Sequence, residues 1–216
     1  MSHNYENILR ADGWVEFNDI PSIQSVVCLA REFGEIIPHP DGKDFNIVTP
    51  KQKNAAYPGT LSNLHGFDEF PLHTDTAFWP VPARYLVLAM LNKNSYSSNV
   101  VNANKVFESL DHDVRKAARD AVFKVHTPLG DFDASAIFEE SGEIGFRFNA
   151  CCMTPANVTA KSFLVAFDHA LRCTTPNTLQ WTGSKAVIID NWKVLHGRSA
   201  IRDFLTERKL IRIYVK

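Results

Sequence analysis

A histidine and an aspartate stand two positions apart in the stretch FPLHTDTAFW, residues 70–79. Residues i and i+2 of an extended chain project to the same side, so His73 and Asp75 can bind one metal ion together. A second copy of the pattern, His39-Pro40-Asp41, lies in HPDGKD, whose composition is typical of a tight turn. We therefore interpret the first copy as a metal-binding pair and the second as a solvent-exposed turn.

A metal site built on this pair needs a third ligand. Two imidazoles and one carboxylate hold one face of Fe(II) and leave other positions open for a cosubstrate and oxygen. His196 is the strongest choice. In VIIDNWKVLHGR it follows a buried strand and a turn, and it is itself followed by a glycine. His65 and His126 remain possible residues of the same pocket.

The last segment of the chain carries two arginines on one face. In RKLIRIYV, residues 208–215, Arg208 and Arg212 point to one side and most of the apolar residues point to the other. If helices cover the apolar side, both guanidinium groups point into the protein, where a buried cation needs an anion. A dicarboxylate cosubstrate would satisfy one of them, and an internal salt bridge is the alternative for either.

Short strands and a few helices must position these residues. The pattern predicts strands over 13–17, 45–49, 84–91, 123–126, 134–138, 145–148, 186–190, 194–196 and 209–215. It predicts helices from an N-cap and first-turn proline in residues 18–21 to about residue 33, over 104–110 and 113–123, and from Thr154-Pro155 to about Cys173. This order indicates a mainly β fold, a barrel or double-sheet sandwich with flanking helices.

Composition limits the class of partner. The 216 residues are 45% hydrophobic, which allows one sizeable core, and we expect a single domain over residues 1–216. With 23 basic and 24 acidic residues and no long run of like charge, nothing favours nucleic acid or a membrane surface. The sequence has no signal-peptide pattern, no membrane-length apolar stretch and no C-x-x-C, so we expect reduced thiols and a cytoplasmic protein.

Three elements occur in a fixed order: FPLHTDTAF, DNWKVLHGR, and an arginine twelve positions after His196. Together they resemble the Fe(II)/2-oxoglutarate-dependent dioxygenases of the taurine dioxygenase, γ-butyrobetaine hydroxylase and clavaminate synthase group, from about Pro71 to the C-terminus. DNWKVLHGR is especially similar to the γ-butyrobetaine hydroxylase end of that group. The resemblance implies a double-stranded β-helix, or jelly roll, of the cupin-like kind. It also implies Fe(II) as the metal, with 2-oxoglutarate and O2 as cosubstrates.

The resemblance also implies roles for individual residues. His73, Asp75 and His196 are the expected iron ligands and carry the catalysis, and Arg208 is expected to bind the distal carboxylate of 2-oxoglutarate. Asp75 speaks against halogenation, because the related halogenases carry a small residue at that position. Hydroxylation is therefore the expected reaction, with desaturation or ring closure as variants of it.

Other positions match the family less closely. Ser98 lies where the family has a small hydroxyl residue that touches 2-oxoglutarate, although the usual Gly-Gly-Asp-Thr turn is absent there. Arg212 matches the position at which taurine dioxygenase holds the anionic group of its substrate. Glu69 can meet an amine of the substrate, or it is an exposed loop residue. The region before Pro71 matches nothing in the family.

The implied function is hydroxylation of an unactivated C–H bond of a small molecule, with release of succinate and CO2. An anion-binding arginine and a glutamate indicate an amino acid or a similar zwitterion as the substrate. A peptide or protein hydroxylase and a non-catalytic jelly-roll binding module are the alternatives. Residues 50–66 have the composition of a loop, and we predict that they form part of a lid.

Overall fold

Antiparallel strands make up most of the regular structure. A computed structural model describes residues 2–93, 95–202 and 208–216. In chain order the strands are β1 (Trp14–Asn18), β2 (Ile36–Ile37), β3 (Asn46–Val48), β4 (Phe70–His73), β5 (Tyr85–Met90), β6 (Ser97–Asn102), β7 (Val122–Val125), β8 (Phe132–Ser135), β9 (Ile137–Glu140), β10 (Glu143–Phe146), β11 (Met153–Pro155), β12 (Asn177–Gln180), β13 (Lys185–Asp190), β14 (Val194–Arg198) and β15 (Leu210–Val215). The helices are α1 (Ser2–Asp12), α2 (Ile23–Arg31), α3 (Leu61–His65), α4 (Ala103–Glu108), α5 (His112–Ala117) and α6 (Val158–Cys173), with 3-10 turns at Lys53–Ala55 and Ala118–Asp120.

Two sheets face each other and enclose the interior. Sheet I has the order β1-β13-β5-β15-β2, and β3 also pairs with β15. Sheet II has the order β12-β6-β14-β4. A three-stranded sheet, β11-β7-β8, and the hairpin β9-β10 accompany them, and the pairs within these sheets are antiparallel. The expected jelly roll with flanking helices is confirmed.

The space between sheets I and II is filled by alternate residues of their strands. We call this the barrel interior; its apolar cluster is Leu86, Leu88, Met90, Val100, Leu179, Trp181, Val187, Ile189, Val194 and Leu210. Successive side chains of a strand point to opposite faces. Arg212 and Tyr214 follow Leu210 at two-residue spacing, so they point to the same side. The expectation that the polar face of the last strand points inward is therefore confirmed.

Helices cover the outer face of sheet I. Ile211, Ile213 and Val215 of β15 pack there with Leu9 of α1 and Val26 of α2. This burial confirms that helices cover the apolar face of the last strand. On the other side of the molecule α6 packs its phenylalanines into a separate cluster with α4, sheet β11-β7-β8 and Leu195 of β14.

The main differences from the sequence prediction concern helix starts. α2 begins after Ser22, whose side-chain oxygen accepts a hydrogen bond from the Ser25 N–H, and not from a cap in residues 18–21. Asn18 is still paired in β1, so the helix cannot start there. α6 begins after Asn157, because Thr154 and Pro155 belong to β11 and pair with β7.

Some elements are not predicted from the sequence. The pattern gives no sign of helix α1 or of the polar strands β6 and β12. The predicted helix over 113–123 ends at Ala117, and the predicted strand over 134–138 is divided between β8 and β9. All four cysteines are free thiols. In the part of the chain that the structure describes, no helix has both the length and the hydropathy needed to cross a membrane.

Candidate metal centre

The structure brings His73, Asp75 and His196 together. His73, the last residue of β4, is paired directly with His196 of β14, and their ring centroids are 4.4 Å apart. Nε2 of His196 lies 4.0 Å from Oδ2 of Asp75. The atoms that the three side chains offer as ligands all lie within 4.8 Å of one another, the one such group among the described residues. Two imidazole nitrogens and a carboxylate oxygen at this spacing fit a single metal ion.

A hydrogen-bonded turn holds the Asp75 carboxylate. Strand β4 ends at His73, so the turn, and not an extended strand as predicted, places Asp75 beside the histidines. The Asn191 side chain accepts a hydrogen bond from the Asp75 N–H (3.0 Å) and donates to the carbonyls of Asp75 (3.0 Å) and Ala83 (2.9 Å). Thr76 has a left-handed φ of 55°, and its hydroxyl donates to the Asp75 carbonyl (2.6 Å).

Both histidines are in the neutral form that binds metals. Nδ1 of His73 lies 2.9 Å from the Pro71 carbonyl, which can only accept, so Nδ1 donates and Nε2 keeps its lone pair. Burial lowers the pKa of His73 below its usual value, and it lowers the pKa of His196 to about 3 with help from the neighbouring His73. No proton therefore competes with a metal ion at neutral pH.

Arg212 and Asp75 form an ion pair in the barrel interior. Nη1 of Arg212 lies 3.2 Å from Oδ2 and 3.5 Å from Oδ1 of Asp75. Burial acts to raise the pKa of Asp75, but its neighbours, the Arg212 guanidinium first among them, outweigh it, so the pKa lies below its usual value. Of the two roles considered for Arg212, the structure shows the internal salt bridge. Nε of Arg212 is buried and has no partner among the described residues, so one donor is unused.

Arg208 lies just before β15 and is buried, with 6% of its surface exposed. Its Nε has no hydrogen-bond partner in the described part of the chain. Burial and the neighbouring Arg198 guanidinium lower the pKa of Arg208 to about 10, which leaves it charged at neutral pH. Arg198 itself donates to the carbonyls of Gly66 and Asp68. A buried cation beside a second cation is a strong site for an external anion.

Ser98, the predicted cosubstrate contact, is buried in β6. Its hydroxyl oxygen accepts a hydrogen bond from Nε1 of Trp181 at 3.2 Å. It lies directly across from Arg198 of β14, two residues beyond the pair that joins Val100 and His196. Ser98 is therefore on the same face of sheet II as the histidines.

Of the remaining predicted residues, Glu69 and His126 lie on the surface, whereas His65 is half-buried and close enough to His73 to act on its pKa. Glu69 is exposed and makes no hydrogen bond or ion pair with any residue that the structure describes. His126 is also exposed, between Asp131 and Thr154, and is not part of the triad. His65 ends α3 with its ring 6.0 Å from that of Phe70. The second copy of the motif, His39 to Asp41, is an exposed turn as predicted.

Sequence reasoning missed two residues that fix the triad. Asn191 lies in the DNWKVLHGR motif. An amide side chain directly after a buried strand was a signal for hydrogen bonds to backbone groups. Arg147 is buried and donates to the carbonyls of Ala77 (3.1 Å), Trp79 (2.9 Å) and Pro80 (2.6 Å), just after Asp75. Its partners are backbone atoms about 70 residues away, so no local pattern reveals this role.

Comparison with known proteins identifies solved structures that share the fold of this chain. No family model matches the sequence, and no curated protein matches it either. Among solved structures, an asparagine oxygenase in complex with Fe(II), 2S,3S-3-hydroxyasparagine and succinate aligns with a TM-score of 0.77 and 16% identity, over 99% of this chain and 78% of that one. A taurine dioxygenase from Burkholderia xenovorans aligns with a TM-score of 0.75 and 17% identity, over 100% and 80% of the two chains.

A third solved structure is the non-heme iron oxygenase OrfP in complex with Fe and alpha-ketoglutaric acid. It aligns with a TM-score of 0.74 and 14% identity, over 99% of this chain and 78% of that one. At identities this low, the likeness establishes the fold, which this chain shares with all three oxygenases.

Proposed function

We propose that the protein is an Fe(II)- and 2-oxoglutarate-dependent oxygenase, with residues 1–216 acting as one catalytic domain. The observation that carries the proposal is the convergence of two neutral histidines and one ionised carboxylate, His73, His196 and Asp75, within 4.8 Å. This donor set fits Fe(II) and leaves part of the coordination sphere open. The solved oxygenases with the same fold support the assignment.

The cosubstrate assignment rests on Arg208. Its guanidinium is buried and charged, and its Nε has no partner in the described residues. The distal carboxylate of 2-oxoglutarate supplies the missing anion, with Ser98 as a second donor. Bound Fe(II), 2-oxoglutarate and O2 supply the oxidation of a C–H bond, with succinate and CO2 as products. The chain contributes by holding the reactants in one orientation inside the jelly roll.

The substrate class is an amino acid or a similar small zwitterion. Two structures with this fold are described with hydroxylated amino acids, 3-hydroxyasparagine in the asparagine oxygenase and (3S)-hydroxy-L-Arg in an OrfP variant. Arg212 keeps a donor that Asp75 does not use, and this donor suits the anionic group of such a substrate. Glu69, on the surface before β4, is the proposed partner of the amine.

Anaerobic titration of the metal-free protein with Fe(II) and 2-oxoglutarate tests the proposal. We expect the weak visible charge-transfer band of iron-chelated 2-oxoglutarate in the wild type. In Arg208→Ala the affinity for 2-oxoglutarate falls at least tenfold, because a buried charge-assisted contact is lost. Lys209→Ala, an exposed neighbour on the same segment, is the matched control and keeps the wild-type affinity.

The same titration separates the proposal from its alternative. If iron binds and no band forms, the site holds a metal for some other purpose, and the non-catalytic binding module is favoured. If the band forms, release of succinate in the presence of single amino acids identifies the substrate.

A further inference from the structure

Trp181 is completely buried in the barrel interior, just after β12. Its indole N–H donates to the hydroxyl oxygen of Ser98 at 3.2 Å. An indole nitrogen can donate but cannot accept, so the direction of this hydrogen bond is fixed. The Ser98 oxygen is the acceptor, and the hydroxyl hydrogen of Ser98 must point elsewhere.

The Ser98 hydrogen has no acceptor in the described part of the chain. A buried hydroxyl normally uses its hydrogen, because burying a donor without an acceptor is unfavourable. Nε of Arg208 is likewise buried without an acceptor. Two donors in one region that lack an acceptor among the described residues indicate a site for a ligand that only accepts.

The two donors share neighbours. Ser98 lies directly across from Arg198 in sheet II, and side chains directly opposite in an antiparallel pair are about 5 Å apart at Cβ. The charge of Arg198 acts on Arg208, as does Tyr96, two residues before Ser98. Leu210, two residues after Arg208, packs in the same apolar cluster as Trp181.

We infer that Trp181 is a positioning residue for the cosubstrate: its indole N–H turns the Ser98 hydroxyl so that the hydroxyl hydrogen is presented to the carboxylate bound by Arg208. This inference rests on the proposed function and adds a residue to it. Trp181 touches neither the metal nor the cosubstrate carboxylate and acts through Ser98.

A double-mutant cycle tests whether Trp181 acts through Ser98. The affinity for 2-oxoglutarate is measured by the anaerobic charge-transfer titration in wild type, Trp181→Phe, Ser98→Ala and the double variant. We expect each single variant to weaken binding about tenfold, since each removes the oriented hydrogen bond to a charged group. The double variant is expected to bind as Ser98→Ala does, because Trp181 has nothing left to orient.

Two controls separate positioning from packing. Trp14→Phe changes an indole that packs against the same interior cluster, and it should leave 2-oxoglutarate affinity unchanged. Fe(II) affinity without 2-oxoglutarate should be the same in all variants. The inference is overturned if Trp181→Phe weakens binding equally with and without the Ser98 hydroxyl, or if it has no effect while the wild type binds normally. A wild type without any band overturns the proposed function, and this inference with it.

A measurement on the wild-type protein covers the case in which Trp181→Phe does not fold. In Zn(II)-loaded protein labelled with 15N-tryptophan, the assigned Trp181 indole resonance should shift when 2-oxoglutarate is added, since the hydrogen-bond chain is polarised by the carboxylate. The same addition to Ser98→Ala should leave that resonance in place. An unmoved resonance in saturated wild-type protein contradicts the inference.

Discussion

Arg208 and Arg212 lie four residues apart in the same segment, but their guanidinium groups have different charged neighbours. Arg212 faces the Asp75 carboxylate at 3.2 Å, so its charge is compensated within the chain. Arg208 is more deeply buried. The charged side chain that acts on it is that of another cation, Arg198. One guanidinium is therefore paired in the ligand-free protein, and we propose that the other binds a ligand.

The difference teaches how to read buried arginines near a metal centre. Both positions have the same residue type and point toward the same interior, so sequence spacing alone cannot distinguish them. What separates them within the described residues is the turn after β4, which brings the Asp75 carboxylate to Arg212, while no described carboxylate pairs with Arg208. A buried charge that lacks a partner is costly, and proteins keep such a cost where a ligand relieves it.

The largest expected effect comes from breaking the turn that creates the difference. Asn191→Ala removes three hydrogen bonds and leaves the Asp75 N–H and the carbonyls of Asp75 and Ala83 without their partner. We expect a loss of about 3 kcal/mol in the free energy of unfolding and weaker Fe(II) binding. Urea unfolding and metal titration measure these changes. Unchanged stability would mean that Asn191 does not hold Asp75.

Removing the compensated arginine should destabilise the metal-free protein. Arg212→Met leaves Asp75 without its main counter-charge, and we expect a loss of about 2 kcal/mol, below the value for a fully buried pair because 26% of the Arg212 side chain is exposed. Urea unfolding in the presence of a chelator measures it. A variant as stable as the wild type would show that the ion pair contributes nothing.

The pH dependence of unfolding in the same variant tests the direction in which Arg212 shifts the pKa of Asp75. The pKa of Asp75 is lowered in the folded protein, so its ionisation contributes stability that is present above the unfolded pKa and is lost as the pH falls through the folded value. Without Arg212 the folded pKa rises. Acid unfolding of Arg212→Met should therefore show a smaller contribution from this group than the wild type shows.

Removing the uncompensated arginine should have a smaller effect of opposite sign. Arg208→Met replaces a buried charge by an apolar side chain of similar length, so we expect the ligand-free protein to gain about 1 kcal/mol. The gain should disappear when wild type and variant are compared with saturating Fe(II) and 2-oxoglutarate, since only the wild type is then stabilised by the cosubstrate. Destabilisation of the ligand-free variant would indicate that Arg208 is already compensated.

The smallest effect is expected at the second copy of the motif. His39 and Asp41 lie 3.3 Å apart in an exposed turn. His39→Ala should change the free energy of unfolding by less than about 0.5 kcal/mol and leave Fe(II) affinity as it is. Loss of metal binding in this variant would show that proximity of histidine and aspartate is enough for a site.

Much of the fold could be predicted because alternation and apolar runs are local signals. β5, β13 and β15 are found where the sequence places them, and the inward face of β15 is correct because its side chains alternate strictly. The grouping of His73, Asp75 and His196 was predictable from residue types and order. The strand predictions depend on neighbours in sequence, whereas the grouping of the triad depends on the order of separate motifs along the chain.

The parts that could not be predicted depend on contacts between distant segments. β6 and β12 are polar strands that are stabilised by pairing within sheet II, so their own sequences carry little strand signal. The start of α2 was misplaced because Asn18 is a good cap but is used by β1. The Arg212 to Asp75 pair and the Arg147 anchor join residues more than 60 positions apart, and only the folded chain brings them together.

The central claim is that His73, Asp75 and His196 hold one Fe(II) while Arg208 holds 2-oxoglutarate. Its most direct test is a crystal structure of the anaerobic protein with both bound, with anomalous diffraction recorded on either side of the iron absorption edge. The account predicts a single iron peak bounded by the three side chains, with the distal carboxylate of 2-oxoglutarate on the Arg208 guanidinium. An iron peak elsewhere, or 2-oxoglutarate bound away from Arg208, would contradict it.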